Sequence, residues 1–452
     1  NQISIGGTHL PTSNDMQNVL DIQDKNMIFE DNCVSYGIHK QKKCKFIDCT
    51  LTYIPTECKK CQEPNKDFSI YKNGTQTSRI TFPISGIYPT YLRVKKQRFK
   101  CTSCEATFTA ETPIVKEACF ISNFIKAEIL AKSADARSIK SLAEETNVSS
   151  TTIQRIINEQ VKYYRPYYHS LPENLSFDEF KYGNGQMAFE YIDVVTGTIL
   201  DILESKDTRT IKDHFCSRYS QNQRNQVKTI TTDMNASYVS FIPELFPNAD
   251  IIIDRFHIVQ LVNRAMNKTR VKVMNRLRTS NGEDQKKYRR LKRFWKKLLK
   301  KESELSYTTY QYFPMFGQRL ESAIVSEMLA YDPELKATYT MYQAILKAVE
   351  HNDSKQLRTV LDQPASPELS GYMKTSLKTL SAHFPHIQNT FYYPYNNGKI
   401  EGINNKIKVL NRVAYGYGNF IHYKNRIILH FNLKPIRNKI KMIEKEREHT
   451  AA

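Results

Sequence analysis

Glycine and long apolar runs are both scarce in this sequence, and each scarcity narrows the possible functions. The 452 residues include only 15 Gly, below the usual share of about 7%. No Gly-rich phosphate-binding loop is present, so we do not expect a nucleotide-driven motor or a kinase. The chain has no run of 18 apolar residues and no signal-peptide pattern. We therefore expect a cytoplasmic protein without a membrane partner.

Positive charge is abundant. The chain has 66 Lys and Arg against 46 Asp and Glu, a formal net charge of +20. Such an excess is typical of proteins that bind a polyanion, either nucleic acid or an anionic membrane. Ten Lys or Arg lie within residues 286–301, and eleven lie within residues 402–452 against three Glu.

The cysteines are clustered near one end of the chain. Eight of the nine lie within the first 119 residues. Four form two CxxC pairs, Cys58 with Cys61 and Cys101 with Cys104. Two such pairs can direct four thiolates at one tetrahedral Zn²⁺, which would be structural. The alternative is four unrelated buried cysteines.

Residues 138–159 have two short apolar stripes separated by a turn near Val148. This pattern predicts a helix-turn-helix whose second helix enters the major groove of DNA. The side chains that would face bases or phosphates are Ser150, Thr151, Gln154 and Arg155. An ordinary helical hairpin in a core gives the same pattern.

Three carboxylates stand out in the second half of the chain. Asp178 lies in SFDEF and Asp233 in TTDMNASY, each beside a predicted strand, whereas Glu401 lies in EGINNKIK on a predicted helix. Two strand-borne Asp and a helix-borne Glu suit a site that holds two divalent metals about 4 Å apart. Among 46 acidic residues, three can also coincide by chance. Glu179 is a weaker candidate, because it should face the other side of its strand.

Two further features have open interpretations. Asp254 ends a predicted strand and His257 follows one helical turn later. They can support the carboxylates or contact DNA, although a structural contact between this Asp and this His, joining strand to helix, is favoured. In the basic segment, Trp295 can stack on a base or anchor a core. The cations predicted to contact phosphate, in this segment and after Glu401, are Lys286, Arg290, Arg293, Lys297, Lys408 and Arg412.

With these motifs in this order, the chain resembles the ISL3 family of insertion-sequence transposases, bacterial enzymes of the DDE class. The resemblance rests on SFDEF, TTDM, IDRFH, EGINNKIK and RVAYGYGNF. It implies that Asp178, Asp233 and Glu401 are the catalytic acids and hold two Mg²⁺ (or Mn²⁺) ions. It also implies that Asp254 and His257 support them.

The implied fold is an α/β catalytic core of the ribonuclease-H-like type, interrupted by an all-helical insertion and preceded by a zinc ribbon and a helix-turn-helix. The predicted boundaries are an N-terminal segment (1–55), the zinc ribbon (56–114), the helix-turn-helix domain (115–168), the first part of the core (169–265), the insertion (266–390) and the core completion with a basic tail (391–452).

The expected function is cleavage and strand transfer of DNA at the terminal inverted repeats of an insertion sequence. The implied partners are double-stranded DNA, as repeats and as target, and a second copy of the chain, in the bacterial cytoplasm at the nucleoid. Two alternatives keep the fold without transposition: a DNA-binding regulator and a nuclease.

Overall fold

A computed structural model describes residues 13–164, 168–183, 185–234 and 236–451. The chain divides into two compact units. The first contains residues 1–165 and 407–452, and the second contains residues 166–406. No helix in the described ranges is long and apolar enough to cross a membrane.

A six-stranded sheet forms the larger part of the first unit. Its strands are β1 (Met27–Ile28), β2 (Val34–His39), β3 (Lys42–Leu51), β4 (Ile70–Ser85), β5 (Tyr88–Cys101) and β6 (Thr107–Thr109). β4 and β5 form a long antiparallel hairpin, and β3 pairs with β5 in parallel. Because of that pairing, the predicted segments 1–55 and 56–114 contribute strands to one sheet.

Apart from the short α1 (Ser13–Val19), whose Met16 packs on the core of the sheet, the helices of the first unit form a bundle. The bundle contains α2 (Asn123–Ser133), α3 (Ile139–Thr146), α4 (Ser150–Val161) and α16 (Phe420–Ala451). Ser149 caps α4 by accepting a hydrogen bond from the Thr152 N–H, and Asn147 ends α3 in a left-handed conformation. Serine oxygens satisfy the free N–H groups of a first helical turn, which explains why α4 begins where it does.

The second unit contains a five-stranded sheet. Its strands are β7 (Asn174–Tyr182), β8 (Gln186–Asp193), β9 (Ile199–Leu203), β10 (Thr229–Thr232) and β11 (Asp250–Ile253), in the order β11-β10-β7-β8-β9. β7, β8 and β9 are antiparallel neighbours, whereas β10 and β11 run parallel to β7. Three helices accompany them: α5 (Thr208–Arg218), α6 (Gln221–Asn225) and α7 (Ala236–Leu245).

The two faces of this sheet differ in polarity. Side chains alternate along a strand. Phe177, Phe189 and Tyr191 therefore lie on one face, in an aromatic core with residues of α5 and α7. Asp178 and Glu190 are register partners on the opposite face.

The rest of the second unit is mostly helical. It comprises α8 (Arg255–Arg276), α9 (Gly282–Arg293), α10 (Glu321–Leu329), α11 (Pro333–Glu350), α12 (Ser354–Asp362), α13 (Gly371–Ala382), α14 (Phe384–Tyr392) and the start of α15 (Gly398–Val413). One small hairpin, β12 (Tyr310–Phe313) with β13 (Gly317–Leu320), departs from the all-helical expectation. Met315 in its turn and Gly317 at the start of β13 have positive φ, a conformation that interrupts a helix.

Candidate active site and DNA-contacting surfaces

Asp178 and Asp233 lie side by side in the second unit. β7 and β10 are parallel neighbours, and Ser176 is the register partner of Thr231. Asp178 follows Ser176 by two residues, and Asp233 follows Thr231 by two residues directly after β10 ends, so the register brings the two acids to neighbouring positions. Their charges interact, since Asp233 raises the pKa of the Asp178 carboxyl. The strand pairing thus brings together two acids that are 55 positions apart in sequence.

Asp178 is a largely buried carboxyl with two hydrogen-bond donors. Its Oδ1 accepts from the Glu179 backbone N–H at 2.8 Å, and its Oδ2 accepts from the Asn404 side-chain amide at 2.8 Å. Burial is the largest influence and, with the charge of Asp233, raises the pKa of Asp178 to about 6, although the two donors and His257 act in the opposite direction. The ionised carboxylate is therefore short of positive charge, which a bound cation would supply.

Glu401 lies in the first turn of α15, one helical turn before Asn404. The beginning of this helix is held by Asn397, which is buried. The Asn397 backbone N–H donates to Asp254 Oδ2 at 2.6 Å, and its side-chain Oδ1 accepts from the Ser176 hydroxyl at 2.8 Å. The helix that carries Glu401 is therefore fastened to β7 and to the residue that follows β11.

The three predicted acids do not form a closed cluster. In the described ranges, the only group of three or more His, Cys, Asp or Glu with ligand atoms within 4.8 Å of one another consists of cysteines. Glu401 instead borders a cavity of about 420 Å³ together with Asp254, Phe256, Tyr393 and Tyr395. Asn404, rather than Glu401, contacts Asp178 directly.

Asp254 connects several elements. Its Oδ1 accepts from the Phe256 backbone N–H at 2.7 Å and so caps α8, while its Oδ2 accepts from Asn397. These contacts give Asp254 a structural role, because they join the end of β11 to α8 and to the start of α15. His257 is near enough to Asp178 for its charge to lower the pKa of that carboxyl.

Sequence reasoning missed Glu190 and the contact of Asn404 with Asp178. Glu190 is the register partner of Asp178, is fully buried, and has no hydrogen-bond partner for either oxygen among the residues described. Burial, followed by the charge of Asp178, raises its pKa well above the ordinary value. An acid inside the apolar run AFEYI was the available signal. Asn404 gave no comparable signal, because its partner lies 226 positions away.

The four cysteines of the CxxC pairs come together in the first unit. Their sulfurs all lie within 4.8 Å of one another, with Cys58 Sγ 3.6 Å from Cys104 Sγ and Cys61 Sγ 3.9 Å from Cys101 Sγ. The backbone N–H groups of Cys61 and Lys60 lower the pKa of the Cys58 thiol to about 6. Four sulfurs at such a spacing, one of them favoured as thiolate, fit a tetrahedral Zn²⁺.

Comparison with known proteins identifies the family. A family model described as a transposase, of the DDE class and the ISL3 type, matches residues 175–427. The chain belongs to the ISL3 family of DDE transposases. The matched region includes Asp178, Asp233 and Glu401.

Two curated proteins are similar to parts of this ISL3-family chain. The transposase for insertion sequence element IS1001 of Bordetella parapertussis is 25% identical over 250 residues, which are 54% of this chain and 57% of that protein. A Lactococcus lactis subsp. lactis protein named ATP-dependent protease is 38% identical over 110 residues, 24% of this chain and 34% of that protein. The chain thus spans about a third and somewhat more than half of the lengths of these relatives.

The four residues predicted to face DNA in the helix-turn-helix share one groove. Ser150, Thr151, Gln154 and Arg155 line a groove of about 630 Å³ in the first unit. Below it, α4 packs through a row of buried isoleucines, which keeps the polar side of the helix accessible. The predicted DNA-facing residues therefore lie on a single accessible surface.

The predicted phosphate contacts fall into two groups. Arg290 pairs with Glu327 at 2.6 Å, Lys297 pairs with Glu321, and Lys286 pairs with Glu283 at 2.7 Å. Arg293, Lys408 and Arg412 are exposed. Arg290 and Lys297 are only partly exposed and pair with acids of α10, which makes them poorer candidates for DNA contact. The Trp295 ring lies within 6 Å of the Arg270 guanidinium and the Lys296 ammonium.

Proposed function

We propose that the chain binds the terminal inverted repeats of an insertion sequence and carries out metal-dependent cleavage and strand transfer of DNA. Membership of a DDE transposase family supports this activity. One observation carries the assignment of residues: Asp178 lies on β7, Asp233 directly follows the neighbouring parallel strand β10, and the helix of Glu401 is hydrogen-bonded to β7 through Asn404. The catalytic acids are then Asp178, Asp233 and Glu401.

The second unit, in this proposal, is a ribonuclease-H-like core with an insertion. Three antiparallel strands followed by two parallel strands, with α15 completing the site, support that fold. The insertion lies between β11 and α15 and accounts for most of the 167 residues that separate Asp233 from Glu401. The boundaries predicted from sequence remain part of the proposal.

The donor set fits divalent metal ions. Mg²⁺ and Mn²⁺ prefer carboxylate oxygens, and the buried Oδ1 of Asn404 beside Asp178 lacks a hydrogen-bond partner among the residues described. Asp178, Asp233 and Glu401 would hold the two ions. When bound, the ions would activate the attacking water or 3′-OH and stabilise the leaving 3′ oxygen.

The other residues of the site act through position. The Glu179 N–H and the Asn404 amide orient Asp178, and Asp254 holds the start of α15 through Asn397. In this proposal a change of side-chain conformation brings Glu401 to the two aspartates. We further propose a structural Zn²⁺ at the four cysteines, contact of the α4 groove with the end repeats, and a dimer that joins two ends.

One cleavage experiment tests the proposed function against both alternatives, the DNA-binding regulator and the nuclease. A labelled duplex carrying the element's own end is incubated with Mg²⁺ or Mn²⁺ and wild type, Asp178→Asn or the control Asp213→Asn. Asp213 is an exposed acid on α5. We expect nicking by wild type and the control, and end binding without nicking by Asp178→Asn.

Metal-dependent nicking by Asp178→Asn would contradict the assignment of Asp178 as a catalytic acid. End binding without nicking by any of the three proteins would favour the regulator. Nicking that never yields joined products with a supplied 3′-OH end would favour the nuclease.

The name of the Lactococcus relative does not carry over to this chain. That match covers 24% of the chain, and the sequence contains no GxxxxGK[ST] phosphate-binding motif. Nothing in the described part of the chain therefore favours ATP-driven proteolysis.

A further inference from the structure

α16, which follows the helix of Glu401 in sequence, packs with the helix-turn-helix. Ile428 and Leu429 of α16 are buried in the same core as Ile125, Leu142 and Ile157 of α2, α3 and α4. The predicted division of the chain placed residues 391–452 with the catalytic core, whereas this packing places α16 with the helices of residues 115–168. The bundle is thus built from segments more than 250 positions apart in sequence.

A buried arginine fixes α16 in the bundle. Arg426 is 1% exposed. Its guanidinium donates to the backbone carbonyls of Ser133, Asp135 (2.8 Å) and Arg137 (3.3 Å), at the end of α2 and in the turn before α3. A helix C-terminus carries partial negative charge and free carbonyls, so a guanidinium fits this position.

Another α16 residue reaches the predicted DNA-facing side chains. The Asn425 amide donates to Asn158 Oδ1 at 2.9 Å, and the Gln154 amide donates to the same oxygen at 2.9 Å. His422 lines the groove with Gln154 and Arg155. Asn158 therefore links α16 to the residue of α4 that is best suited to read a base.

The shared acceptor has a consequence for base recognition. Two donors that meet at Asn158 Oδ1 fix which end of each amide is nitrogen. Gln154 then keeps its Oε1 and its second N–H available. An amide oxygen and an amide N–H together match the N6 and N7 edge of adenine in the major groove.

We propose that α16 is a fourth helix of the DNA-binding domain, in which Asn425 positions Gln154 to read an adenine of the end repeat and His422 contacts the same duplex. This inference rests on the proposed function, because it assumes that the α4 groove receives DNA. Asn425 is a positioning residue, and Gln154 makes the base contact.

The test compares the full-length variants Asn425→Ala, Gln154→Ala, their double variant, His422→Ala and Arg155→Ala. Affinity for a duplex carrying the element's end is measured against a scrambled duplex at one salt concentration. A good amide–adenine contact is worth about 1–3 kcal/mol, so Gln154→Ala should lower the end-to-scrambled ratio about 5- to 160-fold. Asn425→Ala should lower the ratio by a similar factor, and the double variant should lose little more. His422→Ala should weaken binding to both duplexes a few-fold.

The results separate two hypotheses: that α16 takes part in base recognition, and that the α4 groove binds the end repeats. If Gln154→Ala lowers the ratio and Arg155→Ala weakens binding while Asn425→Ala and His422→Ala do neither, the role of α16 is refuted and the proposed function stands. If no α4 variant changes end binding, the proposed groove for the repeats is wrong and the inference falls with it. Should Asn425→Ala unfold, Asn425→Asp preserves the shape but offers Asn158 no donor, and the same loss of ratio is expected.

Discussion

Replacing Asp178 by Asn should stabilise the folded protein and abolish the proposed DNA cleavage. The carboxyl lies among buried groups near Asp233, and its pKa is about 6 instead of 3.8. At 1.36 kcal/mol per pKa unit, that difference corresponds to about 3 kcal/mol of unfavourable free energy in the ionised, folded form. The Asn side chain of the variant has one oxygen instead of two. One of the two hydrogen-bond donors at this position therefore loses its acceptor, which costs about 1 kcal/mol. We expect a net gain of about 2 kcal/mol at pH 7.5.

The pH dependence provides a check on the sign. A folded-state pKa above the unfolded value means that the folded protein binds the proton more tightly. Wild type therefore loses stability as the pH rises from about 4 through 6, and the advantage of Asp178→Asn should appear over that window. By pH 4 both proteins carry a neutral side chain, so the advantage should vanish.

The assay is thermal unfolding without added divalent metal, at pH 4, 5.5 and 7.5. For a unit of this size, 2 kcal/mol corresponds to about 4–8 °C. Added Mg²⁺ should stabilise wild type and leave Asp178→Asn unchanged, since binding to the folded state alone raises stability. Asp213→Asn should behave as wild type. A lower unfolding temperature for Asp178→Asn at pH 7.5, or an equal gain at pH 4, would refute the reasoning.

Three further predictions concern other parts of the chain. Cys58→Ser should abolish a stoichiometric zinc content and destabilise the first unit by several kcal/mol, as measured by metal analysis and calorimetry, whereas Cys216→Ser should do neither. Asp254→Ala should cost about 2 kcal/mol and lower the cleavage rate, because it frees α8 and Asn397. The control Asp353→Ala, which removes only the cap of α12, should cost about 1 kcal/mol at an unchanged rate. Glu190→Gln should flatten the fall in stability with rising pH above about 4.5, because the buried wild-type acid resists ionisation; an unchanged profile would contradict this.

Local patterns predicted what depends on neighbouring residues. The alternation of side chains along a strand predicted that Asp178 and Glu179 face opposite sides of the sheet. The serine at the start of α4 is a helix cap, which the sequence can also indicate. The two CxxC pairs predicted one sulfur cluster because each knuckle constrains its own geometry. Long-range pairing is different: nothing local indicates that Asn404 bonds to Asp178, or that Arg426 bonds to the end of α2.

The small hairpin and the ion pairs of the helical region between β11 and α15 could not be predicted from the sequence either. The tyrosines near residue 310 form a short run that does not distinguish a strand from a helix. The positive φ values of Met315 and Gly317 favour the hairpin. Likewise, a cluster of Lys and Arg has the same appearance whether it faces solvent or pairs internally. Arg290 and Lys297 lie next to acids that are 24–37 positions away, and only the packing of α10 brings them there.

The most direct test of the central claim is end cleavage by Glu401→Gln beside wild type. The control is Glu368→Gln, an exposed acid outside the proposed site. The labelled duplex carries the element's own end, and Mg²⁺ and Mn²⁺ are tried separately. Cleavage by wild type and the control, with none by Glu401→Gln at unchanged end binding, is the predicted result. Cleavage by Glu401→Gln at the wild-type rate would contradict a site in which this helix supplies the third carboxylate.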